Sequence, residues 1–408
     1  MLRPPIPAAA LALLSCASPQ PSAAASATPS AVVRTIDDDI ALLEAHAPVE
    51  VLRSPGGGRV VVSAALQGRV MTSAVEPHGA SLGFVHRAFI DKAQTGTPFD
   101  NYGGEDRFWL GPEGGQYGLY FPPGAAFTMS AWQVPHTMQE GEWEVGARDA
   151  SHVMFTRAMH LVNWSGAAFD VRVERDVRVL SVDEVQARFG QAPPPGSKWV
   201  AFESFNRITN AGTRAWTRES GLLSIWILGM YAPSPDAHVI APFDPAASGP
   251  IVRDDYFGKV PAERLVVHER EGWLSFVADG EHRSKIGLPP ARARDAIGSW
   301  SPGSSLLTLV RTARPAAAPN GYVNSLWAQQ PDPYGGDVIN SYNDGPTAPG
   351  KPSLGGFYEI ETSSPAAALA PGESMQHVHA TLHVVGSAAS LDGLARKVLG
   401  VSLAALPP

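Results

Sequence analysis

The stretch GFYEIETSSPAAALAPGESMQHVHATLHV, residues 356–384, contains two segments in which apolar and polar residues alternate. In the first segment, Glu359 and Glu361 share one parity, and Tyr358 and Ile360 share the other. Side chains on successive residues of a β-strand point to opposite faces, so this period of two is typical of a strand. The stretch between the two segments is rich in proline and alanine and separates them. The pattern therefore predicts two consecutive β-strands near the C-terminus.

Alternating segments of this kind recur along the chain. They are rich in β-branched and aromatic residues and are bounded by Gly, Pro, Asp or Asn. These segments occupy residues 59–66, 69–75, 152–163, 168–180, 199–210, 222–231, 273–279, 305–312, 356–364 and 375–386. Helical periodicity is confined to residues 36–47, 181–190 and 390–400. Many short strands with a few short helices predict an all-β fold, a sandwich or barrel, and exclude a doubly wound sheet.

The N-terminus has the pattern of an export signal. Residues 1–15 carry an early arginine and an apolar run too short to span a bilayer. They are followed by Cys16, the single cysteine of the chain. This resembles a bacterial lipoprotein signal, which predicts a lipid anchor at Cys16 and a location in the cell envelope. An ordinary signal peptide with a chance cysteine is the alternative. The composition of residues 16–34 predicts a flexible Ala/Ser/Pro tether. We expect residues 35–408 to form a single folded domain.

The net charge and the absence of several common motifs exclude some classes of function. The net charge is −8, and no Lys/Arg cluster suggests nucleic-acid binding. The chain has no G-x-G-x-x-G motif after a strand, no phosphate-binding loop, no zinc motif and no G-x-S-x-G elbow. We therefore expect no cofactor, and chemistry that depends on carboxylates and histidines.

The loop GGEDRFWLGPEGG, residues 103–115, combines charges and an indole with glycine. Glycine lets a backbone turn sharply and approach a ligand. Glu105, Arg107 and Trp109 share one parity, which predicts that all three face a ligand. A surface turn with a salt bridge is the alternative.

The C-terminal stretch supplies the candidate catalytic groups. Glu359 and Glu361 on one strand face repel each other, and such crowding raises a carboxyl pKa toward the range useful for a general base. His377 and His379 share a face of the next strand, and a hairpin would bring them near the glutamates. Alternatively, the glutamates pair with surface arginines on a solvated strand. His-x-His is also a metal pair, but no third ligand is evident by spacing, so we expect no metal.

Four segments together resemble the galactose mutarotase-like superfamily, in the order found in aldose 1-epimerases. They are QGRVMTSAVEPHGASLGFVH (67–86), GGEDRFWLGPEGG (103–115), RITNAGTRAWTRESGLLSIW (207–226) and the opening stretch (356–384). The chain looks most similar to a bacterial lipoprotein branch of that superfamily. The resemblance implies a large antiparallel β-supersandwich whose concave face holds sugars.

The resemblance also implies residue roles. It maps the catalytic glutamate of the epimerases, which removes the proton from the anomeric hydroxyl, onto Glu361. In those enzymes a histidine protonates the ring oxygen, but Ser224 and Trp226 stand in the corresponding stretch here. Activity of that kind would need another acid, and the candidates are the two histidines above and His160.

Five residues are candidates for sugar binding: Glu105, Arg107, Trp109, Trp226 and Lys285. The two tryptophans are alternatively core residues, and Lys285 is alternatively structural. Two functional hypotheses follow, with a carbohydrate ligand and a membrane anchor in both. The first is a lipid-anchored carbohydrate enzyme, and the second is a non-catalytic sugar-binding envelope lipoprotein. A purely structural envelope role would leave the polar loop unexplained.

Overall fold

The computed structural model describes residues 34–406. β-Strands predominate in this part of the chain, and glycine and proline separate many of them. In chain order the strands are β1 (Glu50–Arg53), β2 (Arg59–Ser63), β3 (Arg69–Ala74), β4 (Arg107–Gly111), β5 (Glu144–Arg148), β6 (His152–Val162), β7 (Ala168–Val179), β8 (Lys198–Asn210), β9 (Ser224–Tyr231), β10 (His238–Pro242), β11 (Leu265–His268), β12 (Trp273–Val277), β13 (Ser284–Leu288), β14 (Ala296–Ser301), β15 (Leu306–Thr312), β16 (Ile339–Asn343), β17 (Tyr358–Ser363) and β18 (Ser374–Val385).

The strands form three antiparallel sheets. The largest has ten strands in the order β11-β12-β10-β14-β15-β18-β8-β7-β6-β5. The second has five strands in the order β13-β16-β17-β9-β4, so that β17 is central and β13 and β4 are the edges. The third is the meander β1-β2-β3. This antiparallel sandwich confirms the all-β prediction.

The ten-stranded and five-stranded sheets pack face to face. Thr362 on β17 contacts His377 and His379 on β18, so the even-numbered side chains of β17 point toward the ten-stranded sheet. Buried Phe276 and Ile360 belong to the apolar core here. The odd-numbered side chains of β17 consequently lie on the outer face of the five-stranded sheet.

Helices cover other surfaces of the sheets. They are α1 (Ile36–Glu44), α2 (Arg87–Asp91), α3 (His136–Gln139), α4 (Val182–Phe189) and α5 (Ala388–Leu399). Ser181 and Glu184 form a capping box at the start of α4, and Gly190 ends it with φ +79°. Phe189 of α4 and Leu394 of α5 are buried in one apolar cluster with Leu382 of β18. These two helices therefore cover the ten-stranded sheet.

Strands or helices occupy all the segments for which the sequence predicts them. The predicted hairpin is wrong, because β17 pairs with β16 and β9, whereas β18 pairs with β15 and β8. Cys16, the predicted signal at 1–15 and nearly all of the predicted tether lie outside the described residues. Between residues 34 and 406, no helix is long and apolar enough to cross a membrane.

Candidate functional site

Two ion pairs lie on the outer face of the five-stranded sheet. Arg107 Nη2 donates to Glu359 Oε1 at 2.8 Å, and Lys285 Nζ contacts Glu361 Oε2 at 2.9 Å. The cations come from the edge strand β4 and the edge strand β13, and both glutamates come from the central strand β17. Neighbouring strands lie about 4.8 Å apart, so each cation reaches across one intervening strand. All four side chains are buried.

Trp226 on β9 completes the environment of Glu361. Its Nε1 donates to Glu361 Oε2 at 2.9 Å, the same oxygen that Lys285 contacts. The Lys285 ammonium lies 4.8 Å from the centre of the Trp226 ring, within cation–π range. The other carboxylate oxygen, Glu361 Oε1, is buried and has no hydrogen-bond partner in the described structure. Glu361 is thus fixed on one oxygen only.

A cleft opens above these pairs. We call it the aromatic cleft, because most of its lining side chains are apolar or aromatic. Its rings include those of Phe99, Trp109, Trp132, Trp226, Phe257 and Trp327. Its charged lining residues are Arg107, Glu113, Arg283, Lys285 and Glu359. A concave apolar pocket with a few convergent polar groups is the usual form of a small-molecule site.

Glu113 enters the cleft from the loop that follows β4. Its Oε1 accepts a hydrogen bond from Trp132 Nε1 at 2.8 Å. The rings of Trp132 and Trp327 stack at 22°, with centroids 6.1 Å apart. Burial raises the pKa of Glu113, while the positive charge of Lys285 opposes that shift. Trp132 therefore fixes a carboxyl group in the cleft wall, in surroundings that raise its pKa.

Burial also changes the proton affinity of the residues on the sheet. Burial raises the pKa of Glu359 to about 7, Arg107 opposes the shift, and the negative charge of Glu361 adds to it. The pKa of Lys285 is raised, because the negative charges of Glu361 and Glu113 outweigh its burial. Lys285 is consequently a charged ammonium at neutral pH. Glu359 is the residue on this face whose protonation changes near neutral pH.

Six of the predicted site residues meet here: Glu359, Glu361, Arg107, Trp109, Trp226 and Lys285. Arg107 Cζ lies 4.0 Å from the centre of the Trp109 ring, which connects the loop prediction to the sheet. The alternative of a solvated strand is wrong, since both glutamates are buried against their cations.

Glu105 lies elsewhere, and the prediction that it shares a ligand-facing side with Arg107 is wrong. It accepts hydrogen bonds from the backbone and hydroxyl of Ser73 and lies 3.3 Å from His383 Nε2. Gly103 and Gly104 have φ of +87° and +115°, a turn that L-residues rarely adopt. Because β4 begins only at Arg107, strand alternation does not extend back to Glu105.

The histidines also lie outside the aromatic cleft. His377 Nε2 and His379 Nδ1 lie 2.8 and 2.9 Å from Thr362 Oγ1, on the side of β17 opposite to the glutamates. His160 is an exposed residue that pairs with Asp170 at 2.7 Å. The expectation that these histidines approach Glu361 in one pocket is therefore wrong. Within residues 34–406, no cluster of three or more His, Cys, Asp or Glu side chains could hold a metal ion.

Sequence reasoning missed several cleft residues, notably Glu113 and Arg283. Glu113 belongs to the glycine-rich loop at 103–115, and Arg283 lies two positions before Lys285, with the same parity. The position of Glu113 in that loop and the spacing of Arg283 from Lys285 could both have been noticed in the sequence. The surrounding aromatic residues come from distant loops, and no short motif connects them.

The chain belongs to a family of unknown function, DUF6786, whose model matches residues 34–407. No curated protein matches the chain at a significant level.

Several solved structures are similar to this chain. A structure from Escherichia coli K12 titled "Putative aldose 1-epimerase" has a TM-score of 0.51 and 14% identity, with 83% of this chain and 98% of that chain covered. A galactose mutarotase related enzyme from Lactobacillus acidophilus has a TM-score of 0.46 and 9% identity, with coverage of 82% and 97%. Slr1438 from Synechocystis sp. PCC 6803 has a TM-score of 0.47 and 10% identity, with coverage of 83% and 96%. The similarity to the first of these structures confirms the predicted galactose mutarotase-like fold. A fold by itself does not define an activity.

Proposed function

We propose that the aromatic cleft binds a saccharide. One observation carries the proposal: Arg107, Lys285 and Glu359 line a cleft whose walls are tryptophan and phenylalanine rings, and Glu361 is buried beneath Lys285 as its partner. The apolar face of an aromatic ring suits the C–H face of a sugar ring, and carboxylates and cations at the ring edges suit its hydroxyls. The mutarotase-like fold is consistent with this ligand.

A binding panel tests the proposal. Isothermal titration calorimetry with neutral and acidic mono- and oligosaccharides would be carried out on the wild-type protein, on Glu361→Gln and on Glu263→Gln. Glu263 is exposed and does not line the cleft, so it is the matched control. We expect at least one saccharide to bind. Glu361→Gln should weaken it about tenfold or more, because Lys285, which lines the cleft, loses the carboxylate that holds it in place. Failure of every saccharide to bind the wild-type protein would refute the proposal.

A second candidate function is proton-transfer chemistry on the bound sugar. The observation that favours it is the raised pKa of Glu359, about 7, on a carboxyl group that lines the cleft. General acid–base catalysis works best with a pKa near the working pH. In this proposal Glu361 accepts a proton, in line with the resemblance. The carboxyl groups of Glu359 and Glu113 are the available donors, since the described histidines singled out above lie elsewhere.

Anomer exchange separates this candidate from a non-catalytic binding protein. Proton NMR would follow the interconversion of α and β anomers of a sugar that binds in the panel. Acceleration by the wild-type protein that is lost in Glu359→Gln and Glu361→Gln supports catalysis. Binding without acceleration supports the non-catalytic alternative.

The location of the protein is also a proposal. We propose that the chain is exported and attached to a membrane of the cell envelope by a lipid on Cys16. The support is the sequence of residues 1–16 alone.

A further inference from the structure

Arg283 differs from the other two cations of the aromatic cleft. Arg107 and Lys285 are each neutralised by a glutamate at 2.8 and 2.9 Å. Arg283 has no carboxylate within 4.0 Å in the part of the chain that the structure describes. Arg283 therefore contributes a positive charge to the cleft that no ion pair compensates.

The guanidinium of Arg283 is held in place by neutral groups. Its Cζ lies 3.7 Å from the centre of the Phe257 ring, and its Nε donates to the Tyr342 hydroxyl at 3.4 Å. The same hydroxyl donates to Asp344 Oδ1 at 3.1 Å, so the phenol lies between Arg283 and the nearby carboxylate. Neither Nη atom of Arg283 has a protein hydrogen-bond partner in the described structure. These two atoms form the planar fork that binds a carboxylate through two parallel hydrogen bonds.

The position of Arg283 suits contact with a ligand. It directly precedes β13, and its side chain lines the same cleft as that of Lys285. Lys285 is buried on the floor, whereas Arg283 is only half-buried in the wall of the same cleft. A ligand in the cleft can therefore reach Arg283 without breaking an existing ion pair.

Glu113 is the other ionisable cleft residue named above that has no ion pair. Its Oε1 accepts a hydrogen bond from Trp132 Nε1, and burial raises its pKa. Because Glu113 makes no ion pair with Arg283 in the described structure, it leaves the two Nη atoms of Arg283 free for a ligand.

We infer that the aromatic cleft selects an acidic saccharide, and that Arg283 binds its carboxylate through the two Nη groups. This inference rests on the saccharide-binding proposal and specifies its ligand class. One guanidinium whose Nη atoms have no partner in the described structure matches the single carboxylate of a uronic acid. A phosphate monoester approaches two negative charges at neutral pH and would leave excess charge in a mostly aromatic pocket.

Calorimetry with matched sugar pairs tests the inference. The pairs are D-glucuronate with D-glucose and D-galacturonate with D-galactose, and glucose 6-phosphate is the phosphate probe. The proteins are the wild type, Arg283→Gln, Arg283→Lys and the exposed control Arg214→Gln. We expect the wild type to prefer the uronate about tenfold to a hundredfold, the range for a hydrogen-bonded charged pair. Arg283→Gln should abolish that preference, Arg283→Lys should restore part of it, and Arg214→Gln should retain it.

The outcomes separate this inference from the broader proposal. Equal binding of a uronate and its neutral partner, or a uronate preference that survives Arg283→Gln, overturns the inference and leaves saccharide binding intact. Tighter binding of glucose 6-phosphate than of either uronate overturns the assignment of a carboxylate. If none of the saccharide panel binds, the proposed function itself fails. Thermal unfolding of each variant shows whether a loss of binding reflects a loss of folding.

Discussion

Trp226 Nε1 donates a hydrogen bond to Glu361 Oε2 at 2.9 Å, and this contact connects a lining residue of the cleft to the carboxylate buried beneath it. The two residues lie on adjacent strands, β9 and β17. The indole donates to the same oxygen that contacts Lys285, and the second oxygen of Glu361 is buried without a hydrogen-bond donor in the described structure. Glu361 is thereby oriented by two donors, Trp226 and Lys285, both of which line the cleft.

The Lys285–Glu361 pair should make a measurable contribution to folding. Removing one member of a buried ion pair leaves an uncompensated buried charge and typically costs about 3–5 kcal/mol. We expect Glu361→Gln to lower the free energy of unfolding by roughly that amount, measured by urea denaturation at pH 7. The double variant Glu361→Gln/Lys285→Met should recover much of the loss, because it also removes the orphaned ammonium.

Glu263→Gln controls for the removal of a carboxylate that is exposed. It should change the free energy of unfolding by less than about 0.5 kcal/mol. If Glu361→Gln is as stable as this control, Lys285 does not depend on Glu361 for its compensation.

Glu359 should link stability to pH near neutrality. Its folded pKa of about 7 lies above the ordinary value of 4.5, so the folded state binds the proton more tightly than the unfolded state. The resulting stabilisation is complete below pH 4.5 and is lost as the pH rises through about 7. We expect Glu359→Gln to remove this contribution, so that its free energy of unfolding decreases more steeply than that of the wild type on acidification from pH 7 to 4.5.

Urea denaturation at half-unit pH intervals measures the difference between the two proteins. The difference in the free energy of unfolding between wild type and Glu359→Gln reports on Glu359, because groups that titrate equally in both proteins cancel. A difference that stays constant from pH 4.5 to 8 would show that Glu359 keeps an ordinary pKa.

His377 and His379 should produce the opposite pH dependence. Burial lowers the pKa of His377 to about 3 and that of His379 to about 4, from an ordinary value of 6.5. Their contribution to stability is present above pH 6.5 and is lost as the pH falls toward the folded values. Each histidine should cost on the order of 3 kcal/mol at pH 4, since each pKa unit corresponds to about 1.4 kcal/mol.

His379→Asn tests this effect, because asparagine replaces the imidazole with an amide that does not titrate in this range. The variant should lose less stability than the wild type between pH 6.5 and 4 in thermal unfolding scans. Exposed His160→Asn is the matched control and should follow the wild type. Parallel curves for all three proteins would contradict the prediction.

Local alternation predicted much of the fold and part of the site. It identified the strand that carries Glu359 and Glu361 and placed both on one face, because the period of two depends only on backbone geometry. It did not identify their partners: Arg107 is 252 residues away from Glu359, and strand order across a sheet is set by long-range packing. The assignment of Glu105 failed because local alternation does not show where a strand begins.

The connection between β17 and β18 shows a second limit. A loop between two alternating segments suggests a hairpin, but this loop takes the chain from one sheet to the other. Sequence parity placed His377 and His379 together correctly, yet it could not show that they contact the inner face of β17. Short strands with glycine or small polar residues, such as β13, β14 and β16, also lack the apolar alternation that marks a strand.

The proposed lipid anchor depends on Cys16, because it is the single cysteine of the chain and its thiol is the proposed attachment atom. A single acyl chain holds a protein weakly at a membrane, whereas two or more chains retain it. We expect the wild-type protein to sediment with the membrane fraction and to partition into detergent, and Cys16→Ala to appear in the soluble envelope fraction. Cys16→Ser is the conservative companion and should behave as Cys16→Ala does, since only a thiol forms the thioether. Retention of both variants in washed membranes would show that the protein is held there by something other than a lipid on Cys16.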